Sequence, residues 1–205
     1  MRVAWELARR GHLVRGARLA PFVPAVVTVL ILLVVRRDGT PDPLGDLRLL
    51  GLLLALGSGY VLDDGAAVTL QASPYGLARR LLLRVALAVA VVAPLWSLML
   101  VYLGPSSVGF GVSVELGAGL VLGWAVAVWG RRFGVDQPGL ATSPALLAAL
   151  LLAASLSAKA PMLVGPGPQW TDAHLRWSCL LAGAACVLVA GLRDPAARRR
   201  LTARV

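Results

Sequence analysis

Six apolar runs, each close in length to the hydrocarbon core of a bilayer, constrain this chain more than any other feature. They are residues 19–35, 44–62, 81–103, 108–129, 140–158 and 174–192. A helix needs about 20 apolar residues to cross that core, with roughly 17 to 25 tolerated. A chain in lipid must satisfy its backbone hydrogen bonds within each segment, so runs of this kind are expected to be helices. The expected fold is therefore all-α: a polytopic membrane protein with six transmembrane helices in a single domain over residues 1–205. Composition agrees. The chain is 58% hydrophobic and 15% charged with a mean hydropathy of +0.78, whereas soluble domains carry about a quarter charged residues.

The second run is the least regular, because Asp46 and Arg48 interrupt its first turn and leave a clean apolar stretch, 49–62, of re-entrant length. Charge placement decides between the two readings. Six spans put fifteen of the twenty basic residues on one side: Arg2, Arg9, Arg10, Arg15, Arg18, Arg79, Arg80, Arg84, Arg131, Arg132, Arg193, Arg198, Arg199, Arg200 and Arg204. The other side holds Arg36, Arg37, Arg48, Lys159 and Arg176. The positive-inside rule then places both termini in the cytoplasm, and removing the second span would separate the two basic termini. The same distribution explains the net charge of +10 without nucleic acid, since the charge sits in the short segments between spans. The first run is long for a signal-peptide core, and no small-x-small cleavage site precedes Arg36-Arg37-Asp38, so it is expected to remain as a span.

The segments outside the spans are expected to carry the function. Residues 2–18 place Val3, Leu7 and Val14 on one helical stripe, with Arg9 and Arg10 among the arginines near it, which predicts an amphipathic helix in the cytoplasmic interface. A frayed topogenic tail is the simpler alternative. Between spans two and three, residues 63–80 read Asp63-Asp64-Gly65-Ala66-Ala67-Val68-Thr69-Leu70-Gln71-Ala72-Ser73-Pro74-Tyr75-Gly76-Leu77-Ala78-Arg79-Arg80. Asp63 or Asp64 can cap a short helix through Ala66 to Ala72, and Ser73-Pro74 with Gly76 can end it. The largest external segment, Lys159 to Ala173, is rich in Pro and Gly, holds Trp170, and could dip back into the membrane.

A basic amphipathic amino terminus, six spans and a loop of the form Leu-Asp-Asp-x-Ala-Ala-x-Thr-Leu-x-Ala-Ser-Pro together resemble the permease subunits of ABC transporters of the ABC-2, or exporter, class, particularly small ones from actinobacteria. The Arg-rich and almost lysine-free composition is typical of GC-rich bacterial genomes. The resemblance implies efflux across the cytoplasmic membrane of a bacterium, two permease subunits pairing as a homodimer or heterodimer, and a separate ATPase subunit that binds ATP and Mg. It also implies that Asp63, Asp64, Ala66, Thr69, Leu70, Pro74 and Tyr75, flanked by Arg79 and Arg80, form the coupling loop on which the ATPase docks. Gly65 stands where the family pattern has Pro.

Missing motifs point the same way. A Walker loop needs a lysine, and the one lysine, Lys159, lies at an external helix end, so any ATPase is expected on a partner. No HExxH, Cys-x-x-Cys or Gly-x-Ser-x-Gly occurs, and His12 and His174 fall on opposite sides of the membrane. No catalytic residues, metal ligands or cofactor are therefore expected in this chain.

Within the spans, Glu115 is the one acid at depth. Such a residue is costly and marks either a functional site or a hydrogen-bonded acid facing another helix. Gly119 with Gly123, and the stripe Ala145, Ala149, Ala153 and Ser157, would let helices approach closely, within the bundle or at a dimer seam. Pro94 is expected to kink the third span. Cys179 and Cys186, about 10 Å apart along one helix, cannot bridge each other; with Gly183 and Ala190 nearby, packing is their simpler reading. Two alternatives compete with the exporter. One is the substrate-capturing component of an energy-coupling-factor importer, which would show polar side chains converging at the external face. The other is an intramembrane lipid-modifying enzyme, for which Asp63 and Asp64 are the sole acidic pair available.

Overall fold

The computed structural model describes residues 22–36, 42–63, 77–103, 107–135, 137–155 and 161–193. All regular structure among them is α-helical. The helices are α1 (Phe22–Arg36), α2 (Pro43–Val61), α3 (Leu77–Leu103), α4 (Gly109–Arg132), α5 (Pro138–Ser155) and α6 (Trp170–Leu192). Five of them, α2 to α6, are long and apolar enough to cross a membrane, which marks a multi-pass membrane protein. The described part of α1 is 15 residues, about 22 Å of helix against the roughly 30 Å of a hydrocarbon core. The amino-terminal helix expected on Val3, Leu7, Arg9, Arg10 and Val14 lies outside the described residues.

Two helix starts, those of α3 and α6, come a full turn before the sequence boundaries. α2 begins at Pro43 because Asp42 accepts a hydrogen bond from the Gly45 backbone N–H at 2.9 Å, with proline in the first turn where a missing N–H costs nothing. α3 begins a turn before Leu81 and runs unbroken through Pro94. α6 begins at Trp170, one turn before the expected His174. Trp170 and Asp172 therefore belong to the helix rather than to the external segment.

Contacts between helix ends show that successive helices alternate in direction. The end of α1 meets the start of α2 through Arg36 and Asp46, and the end of α2 meets the start of α3 through Leu62 and Arg84. The ends of α4 and α6 lie together, where the Trp129 indole donates to Val187 O at 3.0 Å and Arg132 donates to Arg193 O. Thus α2, α4 and α6 run one way, and α1, α3 and α5 the other.

α4 is the centre of the bundle, packed against α6, α2 and α5. Its small residues explain the closeness. Gly119 faces Ala55 of α2, and a Cβ on Gly123 would lie 3.1 Å from Leu146 and Thr142 of α5. The GxxxG face therefore serves packing within the chain. α2 is equally enclosed: Leu47, Leu50 and Leu54 are fully buried, although this was the least regular run in the sequence. Buried indoles find acceptors, as lipid cannot supply them. Trp96 donates to Ser113 Oγ at 2.9 Å, and Trp124 to Ser58 Oγ at 3.2 Å.

One packing expectation is corrected. Cys179 and Cys186 are both exposed, and Gly183 has no atom of a neighbouring element within 4 Å of a built Cβ. That side of α6 faces away from the bundle.

Candidate functional site

Three charged or titratable side chains converge where α2, α4 and α6 begin. Arg48 lies five residues into α2, Glu115 six residues into α4 and His174 four residues into α6, so all three stand about 6 to 9 Å from their helix starts. Arg48 grips the Glu115 carboxylate with two nitrogens: Nε donates to Oε2 at 2.7 Å and Nη2 to Oε1 at 2.6 Å. His174 approaches from the opposite helix, with Nε2 3.1 Å from the same Oε1. This bidentate pair answers the cost of an acid at depth, since a buried carboxylate is tolerated when charge and hydrogen bonds meet it. The two irregularities of the sequence, Arg48 at the edge of one span and Glu115 inside another, are each other's partners.

The cluster is fixed from outside as well. His174 Nδ1 lies 2.7 Å from Trp170 O, one turn back in α6, and its ring lies tilted against that of Trp170 with centroids 4.1 Å apart. Gly111 makes room on α4: a Cβ there would lie 2.6 Å from His174 Nε2 and from the Trp170 ring. The segment 161–168 folds over this end and is held by its carbonyls. Arg48 Nη2 donates to Val164 O at 2.8 Å, Arg176 Nη1 to Pro161 O at 2.7 Å, and Trp177 Nε1 to Met162 O at 2.8 Å.

Beside the cluster lies a cavity of about 220 Å³. Arg48 and Glu115 form its polar end, and Trp96, Leu146, Leu150, Leu163 and Trp177 are part of its apolar wall. It is lined by α2 to α6 of a single chain together with the covering segment, and it is partly open to the outside.

The opposite end of the bundle holds the beginning of the expected coupling loop. Asp63 is buried, and its Oδ1 accepts the Gly139 backbone N–H of α5 at 2.7 Å. It thus caps α5, where a first-turn N–H would otherwise lack an acceptor. Arg84, also buried, donates Nη1 to Asp63 O at 2.6 Å and to Leu62 O at 3.3 Å, which satisfies the carbonyl end of α2. The sequence counted Arg84 among the charges at the membrane surface, but its guanidinium serves inside. Arg79 is exposed near the start of α3, and Arg80 lies in that helix. The rest of the expected coupling set, Asp64, Ala66, Thr69, Leu70, Pro74 and Tyr75, lies outside the described residues.

Sequence reasoning singled out Glu115 and missed Arg48 and His174 as its partners. A signal was present: in an alternating bundle the starts of the second, fourth and sixth spans share a side, and all three residues sit at similar depth. Comparison with family models, curated proteins and solved structures gave no match.

Proposed function

We propose that this chain is the membrane-spanning subunit of an ATP-driven ABC transporter of the exporter class, working in the cytoplasmic membrane of a bacterium as one of two paired six-span subunits, with both termini in the cytoplasm. A separate ATPase supplies ATP hydrolysis and docks on the loop between α2 and α3. The observation that carries this reading is the junction at the root of that loop. Asp63 and Arg84 tie the end of α2, the start of α3 and the start of α5 through side-chain to backbone hydrogen bonds. A displacement of the loop therefore reaches three helices at once, as a coupling element requires.

The test is co-purification. Leu70→Asp, or Pro74→Ala with Tyr75→Ala, should release the ATPase while leaving the spans inserted; unchanged recovery of the ATPase overturns the assignment. With both native cysteines replaced by serine, cysteines placed at Ser106 and Thr202 should label from opposite sides of intact cells. Equal labelling from outside refutes the topology.

The substrate-capturing component of an energy-coupling-factor importer is a second reading, favoured by one observation. The cavity and its polar cluster are complete within one chain, as a component that binds its substrate alone would require.

A further inference from the structure

The hydrogen-bond partners in the cluster set its charge. Trp170 O can only accept, so His174 Nδ1 carries a hydrogen. The contact between His174 Nε2 and Glu115 Oε1 then needs a second hydrogen, on one atom or the other. If it is on Nε2, histidine is a cation and Glu115 a carboxylate. If it is on Oε1, both are neutral. Arg48 is a cation in either case. Both arrangements sum to one positive charge, held beside an apolar cavity where water screens little. Arg48 also has donors to spare. Its Nε and Nη2 are engaged by Glu115 and Val164, while Nη1 has no acceptor among the described residues.

We propose that the cavity binds a compact lipophilic anion, with a carboxylate-type head on Arg48 Nη1 and an apolar body among Trp96, Leu146, Leu150, Leu163 and Trp177. Size and charge both argue for it. An apolar cavity of about 150 Å³ holds a benzene ring, so about 220 Å³ holds one ring with a short arm, whereas most of a phospholipid would have to lie outside it. A cation has no place, because the Glu115 charge is already matched by Arg48 and by the shared hydrogen. The head group needs only an acceptor with a negative charge, and a charge-assisted bond to a guanidinium is about twice as strong as a neutral one. Binding of this kind depends on the cavity alone. It holds whether or not an ATPase drives the protein, and in either direction of transport.

Three probes of one shape test it on the purified full chain in detergent, by titration calorimetry: phenylpropionate, phenylpropionamide and phenylpropylammonium. Phenylpropionate should bind saturably and about tenfold tighter than the amide, the ratio expected of one charge-assisted hydrogen bond. The ammonium should not bind saturably. Leu150→Trp or Leu163→Trp fills the cavity without touching the charged residues, and each should abolish saturable binding. His174→Gln removes the shared hydrogen's charge and should weaken phenylpropionate about tenfold while leaving the amide unchanged. Binding of the ammonium as tight as that of the acid overturns the proposal, as does phenylpropionate binding that survives both tryptophan substitutions. Displacement of the acid by an equal concentration of phosphatidylglycerol overturns the compact ligand in favour of a lipid head group. Failure of the coupling-loop variants to release an ATPase would leave all of these results standing.

Discussion

Two buried carboxylates sit at opposite ends of this bundle and are held in different ways. Glu115 meets side chains, a guanidinium from α2 and an imidazole from α6, and it borders a cavity. Asp63 meets backbone: it accepts the first-turn N–H of α5 while Arg84 closes the carbonyl end of α2 beside it. The Glu115 end places charged groups against a mostly apolar cavity. The Asp63 end is a joint between helix termini, where side chains hold the backbone ends of α2 and α5. One end is a cluster of side chains beside a cavity, and the other is a junction of helix termini.

The largest expected effect tests whether the Glu115 end is a true pair. Arg48→Met alone leaves the buried Glu115 carboxyl without its guanidinium, with His174 as its remaining side-chain partner, and should cost roughly 3 kcal/mol or more of stability. Arg48→Met combined with Glu115→Met should recover most of that loss in a double-mutant cycle read by denaturant unfolding in detergent. Additive losses would break the pairing.

Glycine substitutions compare the rigidity of the two ends at smaller cost. A Cβ on Gly139 would stand 2.7 Å from Asp63 Oδ2 and 2.9 Å from the Tyr60 Cα, and the latter is backbone that cannot turn aside. Gly139→Ala should therefore cost about 1 to 3 kcal/mol. Gly111→Ala meets only the His174 and Trp170 side chains, at 2.6 Å, and should cost less while reorienting the imidazole against Glu115. Equal losses at the two sites would remove the distinction between a joint and a cluster of side chains.

The smallest effect is expected on the outer side of α6. Gly183→Ala meets nothing within 4 Å and should leave unfolding unchanged or raise stability by up to about 1 kcal/mol, as alanine replaces glycine inside a helix. A clear loss in the same assay would mean that a neighbouring surface closes on that face.

Much of the fold could be read from the residues. The runs at 81–103, 108–129 and 174–192 became α3, α4 and α6, because length and apolarity alone require a helix in lipid. Boundaries slipped where local chemistry prevailed: Trp170 to Ala173 extend α6 although two of the four residues are polar and one is charged. The site was half legible. Glu115 announced itself by its cost, but nothing in the linear pattern says which helix supplies the cation, since depth is a one-dimensional property and facing is not. Arg84, counted with the surface charges, went unread as the partner of the α2 carbonyl end for a related reason. A charge near a span end looks like a surface anchor until the neighbouring helix termini, with their unsatisfied carbonyls and N–H groups, are known.

By itself, the sequence determined the solvent, the helices and their alternation, because the bilayer forces every apolar run of sufficient length into one kind of element. Tertiary structure alone decided that Arg48, Glu115 and His174 meet, that a cavity opens beside them and that Asp63 caps a helix more than 70 residues away in the chain. Those outcomes depend on which helix faces which and on how closely glycines let them approach, and no one-dimensional pattern of hydropathy contains either.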